Sequence, residues 1–193
     1  MTAGARKIVV GVGGASGSIY AHRLLMELAR IGERAGNLQV GVVFSSSGRQ
    51  VWKHELGVEP ELPFRVWDNR DFHAPFASGS AGWDAMAVVP CSTAGLGRIA
   101  HGVADDLLGR AADVMLKERR TLVLVVRETP LSAIHLENML TATRAGAVVL
   151  PASPSFYSQP RSIDDLVGSV VGRVLDHLGL ANDVMPRWGG APS

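Results

Sequence analysis

The run Thr121-Leu122-Val123-Leu124-Val125-Val126 shows no alternation of apolar and polar positions. Leucines and β-branched residues in such a block suit a strand covered on both faces, as in a parallel sheet packed between helices. Comparable apolar blocks occur at Ile8 to Val12, Leu38 to Phe44, Phe64 to Trp67, Ala85 to Val89 and Ala147 to Leu150. Between them, apolar residues return at helical spacing. Ile19, Leu24, Leu25, Leu28 and Ile31 mark one helix, and Val51, Trp52 and Leu56 a short second one. Leu107, Leu108, Ala111, Val114 and Met115 mark a third, capped by Asp105 and running to about Arg119. A helix from about Ser132 to Ala145 follows. Ser162-Ile163-Asp164-Asp165 has the form of a capping box and opens the last helix, through Leu166, Val170, Val174 and Leu178. Positions 57–75 are punctuated by Pro60, Pro63 and Pro75 and read as irregular.

Strands alternating with helices predict one α/β domain over residues 1–193: a three-layer, doubly wound, Rossmann- or flavodoxin-like sheet of about six parallel strands. The expected order is 3-2-1-4-5-6, with a ligand crevice at the carboxyl ends of the strands beside strand one. A formal net charge of +1 offers nothing to attract nucleic acid or an anionic membrane. No segment is apolar enough for a membrane span or a secretory leader, and the single Cys91 excludes an internal disulfide, so a soluble cytoplasmic protein is expected.

The strand-end loops carry the candidate chemistry. Gly13-Gly14-Ala15-Ser16-Gly17 follows strand one and precedes a helix, an arrangement that presents backbone N–H groups to a phosphate. It approximates a dinucleotide fingerprint, but Ser45 stands at the end of strand two where a ribose-binding acid is expected, which disfavours a nicotinamide dinucleotide. No Walker lysine follows the loop, and no Gly-x-Ser-x-Gly elbow is present. Ser16, Ser45 to Ser47, and Ser92 with Thr93 bring hydroxyls to three strand ends, suited to a phosphate, ribityl hydroxyls or a flavin edge; each alone is an ordinary cap or turn residue. Arg127 and Glu128 end the Thr121 to Val126 block, where they either hold an anion and move a proton or close the strand as a surface ion pair. The six histidines show no metal-ligand spacing, and Cys91 reads as a buried structural thiol. Lys117-Glu118-Arg119-Arg120 reads as a solvated helix end.

In this order along the chain, Gly14-Ala15-Ser16-Gly17, Pro90-Cys91-Ser92, Arg110-Ala111-Ala112-Asp113, Leu116-Lys117-Glu118-Arg119-Arg120, Arg127-Glu128-Thr129-Pro130, His135-Leu136, Phe156-Tyr157 and Pro186-Arg187-Trp188 resemble the UbiX-type flavin prenyltransferases, formerly described as aromatic acid decarboxylases. The resemblance runs from about Lys7 to Trp188. It implies transfer of a dimethylallyl group from dimethylallyl phosphate to N5 and C6 of reduced FMN, giving prenylated FMN for a UbiD-type decarboxylase, without a metal. It implies FMN contacts from Gly14, Ala15, Ser16, Ser45, Ser92, Thr93 and Arg127, and contacts to the prenyl phosphate from Arg110, Lys117, Tyr157, Arg173 and Trp188. Glu128, Ser16, Glu55 and Lys117 match the family's catalytic positions. The family's assembly as a homododecamer implies that some of these cations serve a neighbouring chain. Gly13, Ser46 and Gly95 depart from residues usual in the family, and Gly95 removes one expected flavin contact. Two other functions fit a flavin-binding α/β domain: an FMN-dependent cysteine decarboxylase of the same fold group, and a non-catalytic flavin-binding subunit.

Overall fold

The structure is a computed structural model that describes residues 5–185. Six strands form one sheet: β1 (Arg6–Val12), β2 (Leu38–Phe44), β3 (Arg65–Trp67), β4 (Ala85–Cys91), β5 (Thr121–Val126) and β6 (Val148–Pro151). All neighbours pair parallel in the order β3-β2-β1-β4-β5-β6. The helices are α1 (Ser18–Ala35), α2 (Ser46–Leu56), α3 (Thr93–Ala100), α4 (Leu107–Lys117), α5 (Ala133–Arg144) and α6 (Ile163–His177).

Side chains alternate across the sheet, so its two faces bury different cores. Ile8, Val10, Val12, Val123 and Val125 point to the layer built by α1, α2 and α6, and meet Leu24, Leu28, Val171 and Val174. Val9, Met86, Val88, Leu122 and Leu124 point to the opposite layer of α3, α4 and α5, and meet Leu96, Leu107, Ala111 and Met115. Phe76 and Trp83 close that second core over β2. Gly41 admits them: a Cβ there would lie 2.8 Å from the Phe76 ring. The four central strands β1, β2, β4 and β5 thus bury both faces, which is why their apolar blocks lack alternation, while the edge strands β3 and β6 are only partly buried.

The structure departs from the sequence expectations at several places. Helix α3 lies where the sequence pattern assigns no element; Gly95 and Gly97 dilute its apolar period, and Ser92 is its N-cap, accepting from the Gly95 amide. Asp106, not Asp105, caps α4, accepting from the Gly109 amide at 2.7 Å, and α4 ends at Lys117 rather than Arg119. Helix α2 begins at Ser46, five residues before its first apolar position, because Ser45 caps it there. The irregular stretch continues past Pro75 in two short 3-10 turns, Pro75–Ala77 and Gly79–Ala81, the first of which lies against α4.

Candidate active site

Four strands deliver their carboxyl ends to one crevice, and hydrogen bonds tie the loops that leave them. The Gly13 amide donates to Pro90 O, Ser45 N to Val12 O, and Arg127 N to Cys91 O. These approaches explain two glycines. A Cβ on Gly13 would lie 2.5 Å from Pro90 O, and one on Gly14 would lie 2.2 Å from Ser47 Oγ. The glycine loop is therefore pressed against its neighbours at these two positions.

The amino terminus of α1 is already occupied by an anion. Gly17 has φ 115° and provides no side-chain cap. Glu55, in the last turn of α2, supplies the cap instead: its carboxylate accepts from Gly17 N at 3.0 Å and from Ser18 N at 2.7 Å. Partial burial opposes ionisation of Glu55 and is the largest single influence. Hydrogen bonds from the Ser16 hydroxyl, the Ser18 and Gly17 amides and the Ser18 hydroxyl together outweigh it, and hold the carboxyl below the usual value. The expectation that this helix start receives a phosphate is corrected here. A second anion would meet a carboxylate where positive potential was anticipated.

The helix starts that remain open are those of α2 and α3. Their caps, Ser45 and Ser92, line one recess of about 160 Å³ with Gly13 and Gly14. The amides of Ser46 and Thr93, first in their helices, have no carbonyl partner within the helix. Both dipoles favour an anion at this end. Cys91 lies beneath, fully buried, and burial pushes its thiol up to about 12. It is a packing residue and not a nucleophile.

Arg127 and Glu128 follow β5 at the same edge. The Arg127 side chain donates through Nε to Ser16 O at 3.0 Å, which fixes it across the glycine loop. Glu128 accepts from the Thr93 hydroxyl at 3.3 Å and from the Thr129 amide at 3.0 Å, and its carboxylate is otherwise exposed. The structure thus brings Ser16, Glu55, Thr93, Arg127 and Glu128 together. The surface ion pair between Arg127 and Glu128 does not appear among the ion pairs of the described residues.

The remaining basic residues lie elsewhere. Arg110 and Lys117 are on α4, in the α3/α4/α5 layer. Arg110 is bonded to Ala77 O and Asp113, and Lys117 pairs with Glu118 at 2.5 Å. Tyr157 and Arg173 line a cavity of about 480 Å³ between β6 and α6, at the sheet edge and on the α1/α6 layer. Arg173 pairs there with Asp176 at 2.9 Å. The sheet therefore separates the two pairs within one chain. Trp188 lies outside the described residues.

Known proteins resemble this chain over most of its length. A family model described as Flavoprotein matches residues 2–175. A protein named flavin prenyltransferase UbiX, from Methanothermobacter thermautotrophicus, is 44% identical, covering 96% of both chains. The chain belongs to the UbiX flavin prenyltransferase family. As a family member it is an enzyme, a transferase. A UbiX crystal structure (AnUbiX, PadA1) in complex with FMN and dimethylallyl pyrophosphate has 44% identity and a TM-score of 0.88, covering 97% of this chain and all of that one. A dodecameric FMN-dependent UbiX-like decarboxylase from Escherichia coli O157:H7 has 41% identity and a TM-score of 0.88, covering 95% and 100%. The cysteine decarboxylase TvaF shares only the fold, at 18% identity and a TM-score of 0.62. Among the described residues no helix is long and apolar enough to cross a membrane, and no three His, Cys, Asp or Glu side chains are grouped as metal ligands.

What the sequence missed was the second open helix start. Ser92 reads in the sequence as a strand-end hydroxyl and an ordinary cap or turn residue, with no helix assigned after it; a serine followed by three residues without proline is signal enough for an N-cap.

Proposed function

We propose that this flavin prenyltransferase transfers a dimethylallyl group from dimethylallyl phosphate to N5 and C6 of reduced FMN, for use by a UbiD-type decarboxylase. The observation that carries the reading is the convergence of Ser16, Glu55, Arg127 and Glu128 on the crevice beside the open starts of α2 and α3. One end of that crevice suits a phosphate, and the other holds acid–base groups.

The residues present fit FMN. The recess between Ser45 and Ser92 takes the phosphate, and Gly14, Ala15, Ser16, Thr93 and Arg127 line the path from there to the isoalloxazine. When bound, reduced FMN supplies the nucleophilic N5 and C6. Arg127, fixed by Ser16 O, places positive charge at the edge of the crevice. Glu128 carries away the protons released at N5 and C6, and Ser16, oriented by Glu55, provides a second hydroxyl relay. Arg110, Lys117, Tyr157 and Arg173 hold the phosphate of the donor and stabilise it as a leaving group through charge-assisted hydrogen bonds. Trp188 completes the donor contacts. Because the sheet divides these residues into two pairs, one donor site takes them from more than one subunit. A homododecamer, the state of the related E. coli protein, supplies such neighbours. Exposed Leu136 and Leu140, one turn apart on α5, with 53% and 49% of their surfaces accessible, give the chain an apolar patch to bury in that assembly.

The test is anaerobic incubation of the protein with reduced FMN and dimethylallyl phosphate. The expected result is release of phosphate and a flavin heavier by one dimethylallyl unit. Binding of FMN with neither change would leave only a flavin-binding subunit, and the proposal would fail.

A further inference from the structure

We infer that Arg98, in the second turn of α3, is the counter-ion for the FMN phosphate and determines the preference of the site for FMN over unphosphorylated flavin. The inference rests on the FMN reading above and adds a residue to which neither sequence pattern nor resemblance pointed.

Among the described residues, Arg98 is the one cation that lines the recess between Ser45 and Ser92. Side chains in a helix lean towards its amino terminus, so Arg98 reaches back to the end of α3 where Thr93 and Ala94 present their amides. Two carboxylates hold the guanidinium there. Its Nη2 contacts Asp105, and lies 3.6 Å from Asp106 Oδ2. Asp106 also caps α4 and accepts from Asn69 Nδ2 at 3.1 Å, so this support is itself fixed at both oxygens.

Charge balance assigns the role. Two helix amino termini contribute together roughly one positive charge. A phosphate monoester brings about two negative charges at neutral pH, and Asp105 and Asp106, which hold Arg98, bring two more. Without Arg98 these two carboxylates outweigh the helix dipoles before a phosphate arrives. Arg98 is the cation that brings the recess itself to about neutral, with a planar fork that matches phosphate oxygens. A purely structural reading makes Arg98 only the ion pair that ties α3 to the start of α4. The two readings differ in one measurable quantity, the difference in affinity between FMN and riboflavin.

Fluorescence titrations of the full-length protein with FMN and with riboflavin separate them, using wild type, Arg98→Gln and Arg98→Lys. Wild type is expected to prefer FMN. Arg98→Gln is expected to weaken FMN about 10-fold, the scale for losing one charge-assisted contact, and to leave riboflavin unchanged; Arg98→Lys is expected to recover part of the loss. Equal weakening of both flavins in Arg98→Gln would show a fold-supporting ion pair and overturn the inference, as would no change in either. Wild-type protein that binds neither flavin would overturn the FMN reading itself.

Discussion

The partition of the proposed donor-site cations between two layers leads to a complementation experiment. Lys117 ends α4 on one face of the sheet, and Arg173 lies on α6 on the other. A helix is about 10 Å across. With the sheet between the layers, the two side chains of one chain stand on the order of 20 Å apart, too far to share a phosphate. Lys117→Ala and Arg173→Ala are each expected to lower kcat/KM for dimethylallyl phosphate by roughly 10²-fold, the scale for removing one preorganised donor. Flavin should stay bound in both. Co-expressing the two variants under different affinity tags yields mixed assemblies. A site then regains both cations when its Lys117 comes from an Arg173→Ala chain and its Arg173 from a Lys117→Ala chain. With random mixing in a symmetric assembly this holds for about a quarter of the sites. Doubly purified oligomers should therefore recover about a quarter of wild-type turnover. Mixed oligomers as inactive as their parents would refute the argument, because a site completed within one chain cannot be rescued by another.

Four further outcomes follow from the structure. Glu128→Gln should keep FMN affinity and slow prenylation by roughly 10²-fold or more in single-turnover assays; unchanged rates would remove Glu128 from the proton path. Glu55→Ala leaves the amides of Gly17 and Ser18 without their acceptor, and should cost about 1–3 kcal/mol in urea unfolding, as for other lost charged helix caps. Because the folded pKa of Glu55 is lowered, its stabilisation is present above the unfolded value near 4.5 and is lost as pH falls through the lower folded value. Between those two values Glu55→Gln should lose less stability with falling pH than wild type does; parallel curves would mean that the carboxylate charge does nothing there. Placing a charge on α5, as Leu140→Glu, should shift the protein to smaller assemblies in light scattering without lowering FMN affinity; an intact large oligomer would show that this face is not a subunit contact.

Much of the architecture was written in local pattern. The uninterrupted apolar blocks, the helical spacing between them and the Ser162 capping box depend on neighbours within a few residues, and each reappears in place. Alternation implied parallel pairing, since parallel strands need crossovers with a preferred hand, and the order expected, one of the common ones for doubly wound sheets, is the order found. The same local logic marked Ser16, Arg127 and Glu128 as residues at strand ends. It could not say what lies opposite them. Glu55 lies in the last turn of another helix, yet its carboxylate sits at the start of α1, which is why the proposed phosphate site is at α2 and α3. Arg98 shares a recess with Gly13 and Ser45 although they are far apart in the chain. Lys117 and Arg173, grouped by resemblance, prove to be on opposite faces of the sheet. Backbone propensity and hydrophobic period are properties of short segments, so the sequence determined the elements and their order. Electrostatic balance depends on distances across the fold, and only the tertiary structure decides which charges meet.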